Sequence, residues 1–113
     1  MKTHRIQIDN GKEILATLDQ FCKEKKIKSA AIISLLGAVD EYQLINVTKA
    51  DPRVETLLKG KECVELCGSG EVKDGVTHIH CMLSRENAEV VGGHLKSATI
   101  HTWFVIAHLL VLD

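Results

Sequence analysis

The spacing of hydrophobic and polar residues predicts a strand followed by an amphipathic helix near the start of the chain. Residues 3 to 8 alternate enough to predict the strand. Asn10, with Glu13 three positions later, predicts a helix start of the capping-box type. The helix would pack one apolar face on a sheet, and the residues of that face are Ile14, Leu15, Leu18, Phe21 and Cys22.

The rest of the chain predicts strands separated by turns. The run from 30 to 36 is apolar on both faces, which is typical of a central strand that is covered on each side. Lys73-Asp74-Gly75 predicts a tight hairpin turn, because Asp-Gly tolerates positive φ angles. Gly68 and Gly70 would let a neighbouring strand approach closely. Further strands are predicted over 39–47, 63–72, 78–83 and 101–112, with loops around Asp51-Pro52 and over 84–88.

Length and composition indicate a single domain spanning residues 1–113. Of the 113 residues, 45% are hydrophobic and only 4% are aromatic, so Val, Ile, Leu and Ala would fill the core of a sheet-based domain. The net charge of −1, from 14 basic and 15 acidic residues, gives no global attraction to nucleic acid or to an anionic membrane. We interpret the lysines at 23, 25, 26 and 28 as a solvated helix end rather than a nucleic-acid patch.

The cysteines and the amino terminus favour a cytoplasmic location. Cys22, Cys63, Cys67 and Cys81 include no Cys-x-x-Cys pair, so we expect reduced, mostly buried thiols, with Cys63 and Cys67 in the core. The segment 1–6 has no apolar signal region. The apolar run over 104–112 is shorter than the roughly twenty residues that span a bilayer. We expect no membrane partner.

Three histidines are the candidate metal ligands. A strand would project His78 and His80 from one face and Ile79 from the other. A glycine-flanked turn at Gly92-Gly93 could then return His94 to the same place. Three imidazoles of this kind suit zinc or another divalent metal, with one coordination position left open. The alternative is that these histidines are only partly exposed polar residues.

The second half of the chain contains three motifs in a fixed order. They are a glutamate-led strand with spaced glycines at 65–72, a His-x-His strand at 78–85 and a Gly-Gly-His-Leu motif at 92–95. In these motifs and their order, the chain resembles the plants-and-prokaryotes-conserved (PPC) domain. The segment Leu35–Val39 in the first half is also similar. The resemblance covers nearly the whole chain, and its two histidine motifs together are fairly specific.

This resemblance implies a small α/β (α+β) domain, with a mostly antiparallel twisted sheet and one main helix packed on it, that assembles as a homotrimer. It also implies similarity in fold to acetolactate decarboxylase, in which a His-x-His pair and a further histidine hold zinc. Carried over to this sequence, the resemblance makes His78, His80 and His94 the candidate ligands. The plant domain accompanies AT-hook segments that bind A·T-rich DNA, but this chain has no Gly-Arg-Pro core, since its single proline follows Asp51.

The chain also departs from the family pattern at two places. Many relatives have a glutamate near the start of the final strand, where this sequence reads Trp-Phe-Val-Ile-Ala-His over 103–108. The plant-type Gly-Arg-Phe-Glu motif retains only its glutamate, Glu65.

Several further polar residues have both a functional and a structural interpretation. Glu65 is the best acid–base candidate, because a carboxylate on the adjacent hairpin arm could hydrogen-bond a ligand or metal-bound water. The alternative is that Glu65 is an exposed strand glutamate. Arg85 either clamps a carboxylate substrate or is a solvated turn arginine. We expect His4 at the surface, His101 at a strand start where it could line a trimer cleft, and His108 in the core.

Two functions follow from these features. The first is a stand-alone homotrimer whose three-histidine site holds a divalent metal and binds or transforms a small molecule. The second is a DNA-associated or protein-interaction module without catalysis, with weak or no direct DNA binding. The sequence assigns no substrate to either.

Overall fold

The computed structural model describes residues 2–113, which form one helix and eight strands. Met1, the first residue of the predicted domain and of the predicted signal-free terminus, lies outside the described residues. In chain order the elements are β1 (Lys2–Ile8), α1 (Ile14–Lys25), β2 (Ser29–Val39), β3 (Glu41–Val47), β4 (Glu55–Gly60), β5 (Val64–Lys73), β6 (Val76–Ser84), β7 (Val90–Thr99) and β8 (Val105–Val111).

All eight strands belong to one sheet in the order β1-β8-β2-β5-β6-β7-β3-β4. Every pair of neighbouring strands is antiparallel. The predicted class, a mostly antiparallel sheet with one main helix, is therefore confirmed. The described residues contain no helix that is long and apolar enough to cross a membrane.

The helix begins at a different cap from the predicted one. Glu13, not Asn10, is the N-cap, and its carboxylate accepts hydrogen bonds from Leu15 N at 3.1 Å and Ala16 N at 2.8 Å. The same carboxylate accepts a hydrogen bond of 2.9 Å from Ala98 N on β7. This contact joins the start of the helix to the sheet. It cannot be predicted from a local capping motif, because its two residues are far apart in the sequence.

The helix divides the sheet into a covered face and an open face. It contacts β6 and β7. Along β6, Thr77, Ile79, Cys81 and Leu83 are buried and alternate with exposed residues. We call the side of Ile79 the covered face and the side of His78 and His80 the open face. The covered face continues across the sheet, because Ile79, Gly70, Ile32 and Leu109 are paired in register.

The prediction that the β2 segment is covered on both sides is wrong. Ile32 and Leu35 are buried on the covered face, whereas Ile33 is 58% exposed and Leu36 is 62% exposed. Cys63 and Cys67, expected in the core, are also exposed. Because the described chain has a single helix, none of its elements remains to cover the second face.

The hairpin between β5 and β6 is the predicted one. Asp74 and Gly75 form its turn with φ angles of 53° and 79°. The predicted close approach at Gly68 and Gly70 is confirmed, since a Cβ at Gly70 would collide with the carbonyl oxygen of His78. The two-residue turn fixes the pairing of the hairpin from Lys73 and Val76 back to Glu65 and Ser84.

Two strands were not predicted from the sequence. No residue of β4 is buried, so its apolar residues follow no inward-facing pattern. The interpretation of Gly92-Gly93 as a turn is wrong, because both glycines lie inside β7. The final strand is also shorter than predicted, since residues 101–104 precede β8 as a loop.

Candidate metal centre

His78 and His80 share the open face of β6, as the strand spacing predicts. Both are exposed, and Ile79 between them is fully buried on the covered face. The buried Ile79 therefore fixes the direction in which its two neighbours project. The Nε2 atoms of the two imidazoles face each other at 3.2 Å.

His94 reaches this pair from β7 and not from a turn. It lies directly opposite His80 in the pairing of β6 with β7. The glycines before it permit a close approach of β3: a Cβ at Gly93 would lie 2.6 Å from Asn46 Nδ2, and Asn46 Nδ2 donates a hydrogen bond of 2.8 Å to Gly92 O. A side chain at Gly93 would thus displace the strand that delivers His94.

The three imidazoles form a compact cluster. The ring centroid of His78 lies 4.9 Å from that of His80 and 4.8 Å from that of His94, and the centroids of His80 and His94 are 5.7 Å apart. One nitrogen from each ring falls within 4.8 Å of the others. Zinc–nitrogen bonds of about 2.0–2.1 Å at tetrahedral angles require nitrogens roughly 3.4 Å apart. The 3.2 Å pair is already near this separation, so the residues fit a divalent metal.

The surroundings of His94 favour the form that binds metals. Burial lowers the pKa of His94 first, and the neighbouring His78 and His80 lower it further, while Glu55 on β4 opposes the shift. A depressed pKa favours the neutral imidazole, whose free lone pair is the metal ligand.

Glu65, the predicted acid–base residue, is on the adjacent arm but not beside the histidines. It pairs with Ser84, whereas Ser69 pairs with His80 and Glu71 pairs with His78. Four residues along a strand separate Glu65 from Ser69, which is about 13 Å. The sequence predicted the turn at Asp74-Gly75, but the register that this turn imposes was not applied. Counting back from the turn selects Glu71 as the partner of His78.

The remaining polar candidates lie outside the cluster. Arg85 binds two carboxylates of the chain, Glu62 Oε1 at 2.9 Å and Glu89 Oε1 at 2.8 Å. His101 contacts Glu41 Oε2 at 2.5 Å. His4 is half-buried against Phe21.

The prediction of a core position for His108 is wrong, because it is exposed on the open face between buried Ala107 and Leu109. Strand alternation, rather than the apolar run around it, decides where this side chain points.

Solved structures of several organisms have the same fold. A metal-containing protein of Archaeoglobus fulgidus is 29% identical, with a TM-score of 0.87 over 100% of this chain and 81% of that one. A candidate DNA-binding protein of Bacteroides thetaiotaomicron is 25% identical, with a TM-score of 0.85 over 98% of this chain and 79% of that one.

More distantly, the fold is similar to that of a Staphylococcus aureus protein of unknown function that is itself similar to alpha-acetolactate decarboxylase. The identity is 15% and the TM-score 0.56, over 99% of this chain and 52% of that one. No curated protein matches the sequence significantly. The family model of the Plants and Prokaryotes Conserved (PCC) domain, the PPC domain named above, matches residues 1–111, so the chain belongs to that family.

Proposed function

We propose that this chain is a cytoplasmic homotrimer in which His78, His80 and His94 hold a zinc-like divalent metal, and that the site binds or transforms a small molecule. The observation that carries the proposal is the convergence of three imidazole nitrogens to within 4.8 Å. The Archaeoglobus relative supports it, because that protein is metal-containing and is 29% identical to this chain.

The donor set suits a site that is open to a ligand. Three histidines leave one position of a tetrahedral ion free, and a metal bound there supplies Lewis-acid polarisation of a ligand oxygen. The chain's own part is to hold the imidazoles and to admit the ligand. Ile79 and Gly93 fix the strands that carry the rings, and the exposure of His78 and His80 leaves the site accessible.

The trimer is supported by an apolar band on the open face. Its residues Leu36, Met82, Trp103 and Phe104 are 62%, 55%, 59% and 44% exposed. Leu36 pairs with Cys67 and Cys67 with Met82, so the band crosses β2, β5 and β6. Trp103 and Phe104, from the loop before β8, line the same groove. Large apolar side chains grouped on one surface are typical of an association interface. Copies of this chain are the proposed partners.

The metal site is tested by removing one ligand at a time. Untagged parent protein should bind about one zinc per chain, and His78→Ala, His80→Ala and His94→Ala should each weaken zinc binding by more than roughly 100-fold, since even outer-shell changes cost 10–100-fold. Equilibrium competition with a chromophoric chelator measures the affinities.

The matched control is His108→Ala, because His108 is exposed on the same face but lies on β8. It should bind zinc like the parent, and His4→Ala should do so too. Parent-like zinc affinity in all three ligand variants would exclude the three-histidine site.

A second candidate function is that of a DNA-associated or protein-interaction module without catalysis. It is favoured by the Bacteroides relative, a candidate DNA-binding protein that is 25% identical to this chain. A trimer would present the exposed lysines at the end of α1 three times, which supports weak phosphate contacts. The absence of zinc binding by the parent would move the assignment to this function.

A further inference from the structure

One carboxylate lies in register with the histidine cluster. Glu71 on β5 is directly opposite His78 on β6, and both are exposed on the open face. Directly opposed residues of antiparallel strands have Cβ atoms about 4.5–5.5 Å apart. Glu65 lies six residues away on the same strand, which is about 20 Å.

The other in-register neighbours of the cluster carry no charge. Ser69 is opposite His80, and Ile45 on β3 is opposite His94. His80 and His94 are opposite each other. Among the residues paired with the three histidines, Glu71 is therefore the single acidic one.

The orientation of the rings leaves a role for this carboxylate. His78 and His80 turn their Nε2 atoms toward each other, so Nε2 would be the atom through which His78 holds a metal. The second ring nitrogen, Nδ1, then carries the proton. Metal-binding histidines generally donate that proton to a carboxylate, carbonyl or water, which fixes the ring and raises its basicity.

We propose that Glu71 is the positioning residue of the metal site and accepts the Nδ1 hydrogen bond of His78 when metal is bound. The inference rests on the three-histidine site of the proposed function. It moves the supporting role considered for Glu65 to the other end of β5. Both side chains are exposed, so the bond forms without moving any buried group.

The test compares zinc affinity in Glu71→Gln, Glu71→Asp and Glu65→Gln. Glu71→Gln keeps the shape and removes the charged acceptor, so zinc should bind 10–100-fold more weakly. Glu71→Asp retains a carboxylate and should recover part of that loss. Glu65→Gln removes the same charge from the same strand and face, and it should bind zinc like the parent.

Cobalt(II) gives a readout that a purely structural role would not move. The visible spectrum of the cobalt-loaded protein reports ligand geometry, and it should change in Glu71→Gln but not in Glu65→Gln. Circular dichroism of the metal-free variants verifies that each is folded like the parent.

The outcomes separate this inference from the function on which it rests. If the parent binds zinc and Glu71→Gln matches Glu65→Gln in affinity and cobalt spectrum, Glu71 has no positioning role and the three-histidine site stands. If the parent binds neither zinc nor cobalt, both proposals fail.

Discussion

On β6 the covered face carries Ile79 and Leu83, which are fully buried, whereas the open face carries His78, His80 and Met82, which are exposed. The two sets come from one strand and alternate along it. The covered face is filled to close the core against α1. The open face carries the imidazoles together with exposed apolar side chains such as Val76 and Met82, and neither group is buried in the core. The difference places the core on one face and leaves the other face free for the proposed metal site and the proposed assembly.

The largest effect should come from a substitution on the covered face. Ile79→Ala removes a fully buried side chain from beneath the histidines and should lower the free energy of unfolding by about 2–5 kcal/mol. Its neighbour His78 is exposed, so His78→Ala should change that free energy by less than about 0.5 kcal/mol in metal-free protein. Urea unfolding at one fixed protein concentration measures both. Equal losses would contradict the division between the faces.

Assembly should depend on the apolar band of the open face. Light scattering of the parent should give about three times the 12.5 kDa chain mass. Leu36→Lys places a charge within the exposed apolar band, so it should convert the trimer to smaller species at micromolar concentration.

The control for assembly is Val54→Lys. Val54 is 51% exposed but lies in the loop between β3 and β4, away from the band, so this variant should remain trimeric. A monomeric parent would exclude the proposed assembly outright.

Residues whose partners are near in sequence could be predicted well. The helix face and the shared side of His78 and His80 follow from local periodicity. The Asp74-Gly75 turn follows from the tolerance of these two residues for positive φ angles. The sequence contains the register of β5 as well, because a two-residue turn fixes which residues of the hairpin are paired. Applying that register identifies Glu71 rather than Glu65 as the neighbour of His78.

Features that depend on distant strands could not be predicted from local patterns. The Gly92-Gly93 pair is typical of a turn. Position 93 instead requires glycine because Asn46 and Ile45 of β3 lie too close to leave room for a side chain. Glu13 caps the helix and also binds Ala98, which a capping motif does not reveal. The exposure of Leu36 follows from the number of helices available to cover the sheet, and the apolar β2 sequence alone cannot distinguish a core from an interface.

The pH dependence sharpens the comparison at the histidine end. The folded chain holds the pKa of His94 below its usual value, chiefly by burial, so protons compete less for this ligand than for an ordinary histidine. Zinc affinity should be retained at pH 7 and should fall as the pH drops through about 6.5 and below. Chelator competition over about pH 5.5 to 8 measures the zinc affinity. A pH-independent affinity would argue against imidazole ligands.

The same shift predicts a small effect on stability. The pKa of His94 is lower in the folded chain than in the unfolded chain, so the unfolded chain takes up a proton at this residue at a higher pH. Metal-free protein should therefore lose stability as the pH falls through about 6.5. His94→Gln removes the titrating group and should flatten this part of the profile, as seen by urea unfolding at each pH. An unchanged slope in His94→Gln would assign the loss to other groups.

The smallest effect should be on DNA. The chain carries 14 basic and 15 acidic residues, so counterion release supplies little affinity at physiological salt. We expect weak binding that appears only at low salt and does not distinguish sequences. Replacing Lys23 and Lys25 by Gln should weaken that residual binding, because both are exposed in the last turn of α1, whereas His78→Ala should leave it unchanged. A mobility-shift titration over a salt series measures the DNA binding of both variants.

A salt-resistant, sequence-selective complex would place a specific nucleic-acid surface on this protein. Loss of that complex in His78→Ala would place the surface on the open face.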